Sequence, residues 1–210
     1  MKPSAENDLL YLTQTGVLSA GSKCYEAFEF LLNGLRLNTH AQASAMVGAL
    51  WTKYEQFDKQ SNSLNGAVFE AILASVFLRH AISPIFVQAN VVFVPNVNFD
   101  FILYSGEFGP ISISAKTSLR ERYKQADLEA VSLKYVHRKA KCFLVTLHAE
   151  EAHNLNKKIQ NGDMLGIDEV ILADSSAFDG LIERLKRMQF SQPAPVEVIC
   201  SAKVLLHASH

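Results

Sequence analysis

The sequence predicts an α/β protein, a mixed sheet with helices on both faces and a helical subdomain ahead of it. Three observations carry that expectation. The first sixty residues keep apolar groups at helical spacing, the apolar period drops from three or four to two after Pro84, and from Cys142 onward strand-like and helix-like runs alternate. A chain of 210 residues and 23.3 kDa can bury its own core. No repeat or Pro-rich linker divides it, so residues 1–60 read as a helical subdomain joined to a core of residues 61–210 in one compact unit. With 49% hydrophobic and 20% charged residues, the composition excludes the disordered, collagen-like and coiled-coil classes.

Taken in order, residues 23–37 form a helix with Tyr25, Phe28, Leu31, Leu32 and Leu35 on one stripe, and residues 39–57 repeat the pattern through Met46, Leu50, Trp51 and Tyr54. Residues 64–80 make a third helix, entered through Ser61-Asn62-Ser63 and closed before Ser83-Pro84, because a residue preceding proline is pushed out of the helical region. It is apolar on almost every side and is therefore expected to be buried. Residues 84–94, 98–104 and 111–117 then read as a meander of three strands, the last two joined by a turn over residues 104–110. A helix over 121–138, a buried strand over 142–147, a polar helix over 150–160, a strand over 169–173, a helix over 176–190 and an apolar run over 196–206 complete the chain. Antiparallel strands feeding a helical crossover give a mixed sheet.

Charge is unevenly spread. The net charge is only -1, yet residues 116–141 hold eight bases against three acids, a local balance of +5 that leaves -6 for the remainder. A solvated, salt-bridged helix face and a polyanion-binding stripe are both consistent with it. Three widely spaced cysteines, Cys24, Cys142 and Cys200, argue against a disulfide framework or a zinc cage and read as reduced fillers. The apolar stretches are too short to span a bilayer and the N-terminus lacks a leader pattern, so no membrane association and a cytoplasmic location are expected.

The chemistry-bearing residues cluster on the hairpin. If its turn centres near Glu107, facing positions sum to 214, which puts Asp100 opposite Ser114 and makes Lys116 a diagonal neighbour of Asp100. Ser112, Ser114 and Lys116 share one face. Asp100 lies among large apolar residues, and Glu70 is the lone charge in residues 67–78; burying either carboxylate is costly unless it is paired or binds a metal. From the residues alone, a structural ion pair on the hairpin and a metal-and-lysine site both remain open.

This arrangement resembles the PD-(D/E)XK nuclease superfamily, and the run Ser114-Ala115-Lys116-Thr117-Ser118-Leu119-Arg120-Glu121-Arg122-Tyr123-Lys124-Gln125 looks like type II restriction endonucleases of that fold. The resemblance covers residues 64–147: a helix bearing an acid, a meander with an aspartate followed by x-K, a basic helix and a parallel strand. It implies a restriction-endonuclease-like mixed sheet and a magnesium-dependent, sequence-specific double-stranded DNA endonuclease, with Mn2+ as a substitute metal. It also implies a homodimer and a cognate DNA methyltransferase as functional counterpart. The family's roles fall on Asp100, Ser114 and Lys116, with Glu70 as the helix acid. Asp100, the backbone carbonyl of Ala115 and Glu70 would hold the metal, Lys116 would help activate water, and Arg120, Arg122, Lys124, Gln125 and Tyr123 would contact DNA. Two positions depart from the pattern: Phe99 stands in place of the proline, and Ser114 in place of the acid of the (D/E)-x-K element. An inactive DNA-binding or assembly protein that keeps the fold is the alternative implied by Ser114, and an interaction module without nucleic acid is a third.

Overall fold

In the computed structural model, residues 5–33, 41–193, 199–200 and 203–205 are described. Four helices come first: α1 (Ala5–Gln14), α2 (Lys23–Leu32), α3 (Ala43–Tyr54) and α4 (Asn62–Arg79). Serine caps set two of their starts. The Ser22 hydroxyl accepts a hydrogen bond from the Tyr25 N–H at 3.1 Å, and the Ser61 hydroxyl one from the Leu64 N–H at 3.2 Å. The expected helix ends at 34–37 and the start at 39–40 fall outside the described residues. Helix α4 buries most of its length, as its nearly all-round apolar character requires.

The strands β1 (Ile85–Val91), β2 (Phe99–Ser105) and β3 (Gly109–Lys116) follow, then α5 (Arg122–Val136), β4 (Lys141–Thr146), α6 (Ala149–Asn161), β5 (Glu169–Leu172) and α7 (Ser176–Lys186). Helix α7 stops short of the expected 190; Phe190 instead forms an antiparallel bridge with Ser105. The closing apolar run supplies β6 (Ile199–Cys200) and β7 (Lys203–Leu205), which occupy successive lengths of β1's outer edge.

The sheet order is β5-β4-β3-β2-β1-β6, with β7 also on β1. Strands β1, β2 and β3 are antiparallel, whereas β3, β4 and β5 run parallel with α5 and α6 as their crossovers. The hairpin register pairs Phe101 with Ile113, Ile102 with Ser112 and Leu103 with Ile111, the regular pairing that a turn centred near Glu107 demands.

Two apolar layers cover the sheet. On one side α1 to α4 and α7 pack with Phe101, Leu103, Ile111, Ile113 and Val145 in a single cluster, so the N-terminal helices and the sheet share a core. On the other side Ala126, Ala130 and Leu133 of α5 and Ala152 and Leu155 of α6 cover Ile102, Cys142, Leu144 and Val170. Asp127 fixes α5 in place by accepting from the N–H groups of Leu165, Gly166 and Ile167. Gly166 is needed there, because a Cβ would collide with the Asp127 carbonyl and the Val131 N–H.

Candidate active site

The last ladder pair of the hairpin is Phe101 with Ile113, and just beyond it, where β2 begins and β3 ends, lie Asp100, Ser114 and Lys116. The Lys116 ammonium sits 2.7 Å from Asp100 Oδ2, and the same oxygen accepts the Ala115 N–H at 2.8 Å. Alternation along β3 sends Ser114 and Lys116 toward the α5 and α6 side while Ile113 and Ala115 join the opposite core. Ser114 is buried beside the pair and contributes a hydroxyl where the family pattern has a carboxylate. At Ala115 it is the N–H, rather than the carbonyl, that meets Asp100.

Glu70 comes from α4, which packs on the other side of the sheet, and a change of face at β1 brings it into the same electrostatic neighbourhood. Ile85 and Val87 pack in the first core but Ala89 and Val91 in the second, and Phe101 and Phe99 of β2 divide in the same way. Between them lie Gln88, with φ of +51°, and Asp100. The left-handed Gln88 breaks the strict alternation that the sequence predicts for this strand. Its carboxamide donates to Glu70 Oε2 at 2.8 Å and accepts from the Asn98 amide at 2.7 Å. Because Asn98 presents its donor to the Gln88 oxygen, the Gln88 nitrogen is the atom left to face the carboxylate. Burial pushes the Glu70 carboxyl up to about 7, and the negative charge of Asp100 adds to that; Gln88, Lys116 and Lys203 pull the other way.

A further carboxylate belongs to this neighbourhood that the sequence reading passed over. Glu129 of α5 is half-buried, with its carboxyl raised first by desolvation and also by Asp100, while the hydrogen bond from Gln125 and the charge of Lys116 lower it. Gln125 Nε2 donates to Glu129 at 2.8 Å. In the sequence Glu129 looks like one of three acids relieving a basic helix. The usable signal was its place beside the stripe Ala126, Ala130 and Leu133, which turns α5 toward the sheet. Glu70 from α4 and Glu129 from α5 thus each feel the charges of Asp100 and Lys116.

The basic residues do not form one uniform patch. Lys116 is bound to Asp100, Lys134 reaches Asp168 at 2.9 Å, and Lys124 pairs with Glu121 in water. Arg120, at the turn that leads from the site into α5, and Arg122, the first residue of α5, are exposed. That turn is clamped from α6: Glu151 accepts the N–H groups of Leu119 at 2.9 Å and Arg120 at 3.2 Å. Of the neutral candidates, Gln125 is exposed and engaged with Glu129, while the half-buried Tyr123 hydroxyl accepts from Lys158 at 2.9 Å.

Among the described residues no three His, Cys, Asp or Glu side chains stand close enough to cage a metal ion. The donors present are hard carboxylate oxygens around Asp100. Magnesium keeps most of its waters and takes one or two carboxylates, so this set of oxygen donors fits magnesium.

No protein-family model matches the chain, and no curated protein matches it. Among solved structures it is similar to a restriction endonuclease, PspGI, in complex with substrate DNA. The identity is 19% and the TM-score 0.51, over 93% of this chain and 85% of that one. The order of elements, the meander running into parallel strands, and the likeness over nearly the whole length together show a restriction-endonuclease-like fold.

Proposed function

We propose that the chain is a magnesium-dependent endonuclease of the type II restriction class, hydrolysing phosphodiester bonds of double-stranded DNA at a specific sequence. The observation that carries this reading is the Asp100–Lys116 pair at the open end of two strands, with Glu70 and Glu129 close enough to feel both charges. Burial raises the carboxyl groups of Glu70 and Glu129, and the charge of Asp100 adds to both, an arrangement that a cation relieves. A second reading, a DNA-binding protein without catalysis, is favoured only by the buried hydroxyl of Ser114 in place of an acid.

Asp100 is the residue that would hold the dication, with Glu129 and Glu70 directly or through its waters. When bound, the ion supplies charge to the transition state and a more acidic water. Lys116 stands on Asp100, beside any water this carboxylate helps to bind, and is suited to orient that water and to neutralise charge growing on the phosphoryl oxygens. Glu129 takes the part of the acid missing at position 114, reaching the site from the helix instead of the strand. Gln88 and Asn98 fix one oxygen of Glu70 and leave the other for water. Arg120 and Arg122, presented where the clamped turn enters α5, suit the phosphates flanking the cut. Cutting both strands calls for a homodimer, a restriction role calls for a cognate methyltransferase, and both would be in the cytoplasm.

The test is incubation of the purified protein with a mixed-sequence plasmid, with and without magnesium. Discrete fragments that require the metal are expected. DNA retained in a salt-dependent manner but never cut would favour the silent binder, and neither binding nor cutting would defeat both readings.

A further inference from the structure

The β1–β2 connection, residues 92–98, lies at the same end of the sheet as the candidate site, since β2 begins immediately before Asp100 and Gln88 lies across from it. Phe93 at its tip is 79% exposed, the highest value for any large apolar side chain among the described residues. It also has φ of +65°, a region that bulky side chains avoid. Of the five non-glycine residues with positive φ among those described, two (Phe93 and Asn96) fall within this short stretch and a third, Gln88, in the strand that leads into it. The loop is nevertheless firmly held. Val94 and Val97 are buried in the second core, the Val94 N–H donates to the Val91 carbonyl at 3.0 Å, and the Asn90 amide donates to the Val97 carbonyl at 2.6 Å.

Folding accounts for none of Phe93's chemistry. Asparagine or glycine would adopt the left-handed backbone at lower cost, and any polar residue would suit the exposure better. A ring held out at a rigid tip, beside a site read as a phosphodiester hydrolase, fits one ligand surface well: the flat π-face of a nucleobase, which aromatic side chains bind by stacking or by entering a base step. We propose that Phe93 is a nucleobase contact, carried into the DNA by the 92–98 hairpin. This rests on the nuclease reading.

The experiment compares wild type with Phe93→Asn, Phe93→Gly and Phe93→Trp. Affinity is read by fluorescence anisotropy on a labelled mixed-sequence duplex and on its separated single strand, with calcium in place of magnesium, across a salt series. Thermal unfolding is followed in parallel. Phe93→Asn and Phe93→Gly should keep or raise Tm while weakening DNA binding about tenfold or more. The slope against salt should stay unchanged, because a stacked ring displaces no counterions. Phe93→Trp should bind like wild type. Loss on the duplex alone identifies a base step as the contact, and equal loss on the single strand identifies an exposed base. Wild-type affinity in Phe93→Asn or Phe93→Gly overturns the inference and leaves the nuclease reading standing. A lowered Tm in both variants overturns it too, by making Phe93 structural. Absence of DNA binding by wild type itself defeats the nuclease reading and the inference together.

Discussion

Two ion pairs stand behind the sheet's two faces, and they are built for different ends. Arg79 of α4 contacts Asp8 of α1 at 2.6 Å, with side-chain exposures of 5% and 8%, and Ser75 donates to the same carboxylate oxygen at 2.7 Å. The pair joins two helices in the interior, and both terminal nitrogens of the guanidinium are buried without a hydrogen-bond partner among the described residues. Lys116 and Asp100 are equally close at 2.7 Å, but at 21% and 10% exposure they lie at the end of the sheet. There two further carboxylates press on the pair. The first pair has what a lock between helices requires, one acid against one base, both buried. The second has two further carboxyl groups beside it, both raised chiefly by burial, and keeps a path to solvent, which is how a binding site differs from a lock.

The contrast is broken most severely if mutation affects the two pairs alike. Asp100→Ala and Lys116→Ala should each lower single-turnover cleavage by roughly a thousandfold or more. Asp100→Ala should cost no more than about 1 kcal/mol, because Lys116 can reach water, whereas Lys116→Ala leaves the buried Asp100 with the Ala115 N–H as partner and should cost about 1–3 kcal/mol. Rapid-quench cleavage and urea unfolding measure the two quantities; a variant that cuts at the wild-type rate removes the assignment. Asp8→Ala should behave in the opposite way, costing about 3–5 kcal/mol because Arg79 is left as an uncompensated buried charge. Its cleavage rate per folded molecule should be unaltered under conditions where the variant stays folded. A stability loss below about 1 kcal/mol there would mean that the sealed pair is no lock.

The smaller effects sharpen the account of the extra carboxylates. Glu129→Gln and Glu70→Gln should each shift the magnesium dependence of cleavage about tenfold toward higher concentration, and calorimetric titration with calcium should record the same loss without turnover. Unshifted metal affinity in both would leave Asp100 as the sole acidic anchor. Ser114→Ala should be mildest, a few-fold loss in rate, since a neutral hydroxyl holds a hard cation far less well than a carboxylate does. A loss as large as that of Asp100→Ala would return the metal chemistry to the strand position.

Part of this site was legible in the order of residues. A regular hairpin obliges positions summing to 214 to face each other, so Asp100 and Lys116 meet for reasons of period and turn length alone. Glu70 stood out because a lone acid in an apolar helix needs an explanation. Glu129 did not, because an acid among bases on a helix looks like ordinary charge balance, and its facing depends on how α5 is seated by Asp127 and Gly166 against residues far along the chain. Gln88 and Asn98 were equally silent, since strict alternation hides a left-handed residue within a strand.

The sequence by itself determined helices α2, α3 and α4, the meander, the alternation that follows and the pairing of Asp100 with Lys116, because these follow from local period, capping and turn length. The tertiary structure alone decided that acids from α4 and α5 should reach the same lysine. It also decided that Glu151 should clamp the turn before α5 and that Lys116, Lys124 and Lys134, three of the eight bases, should pair with acids within the fold. Those outcomes depend on which helix faces which strand across long separations, and a one-dimensional pattern carries charge and period but no such distances.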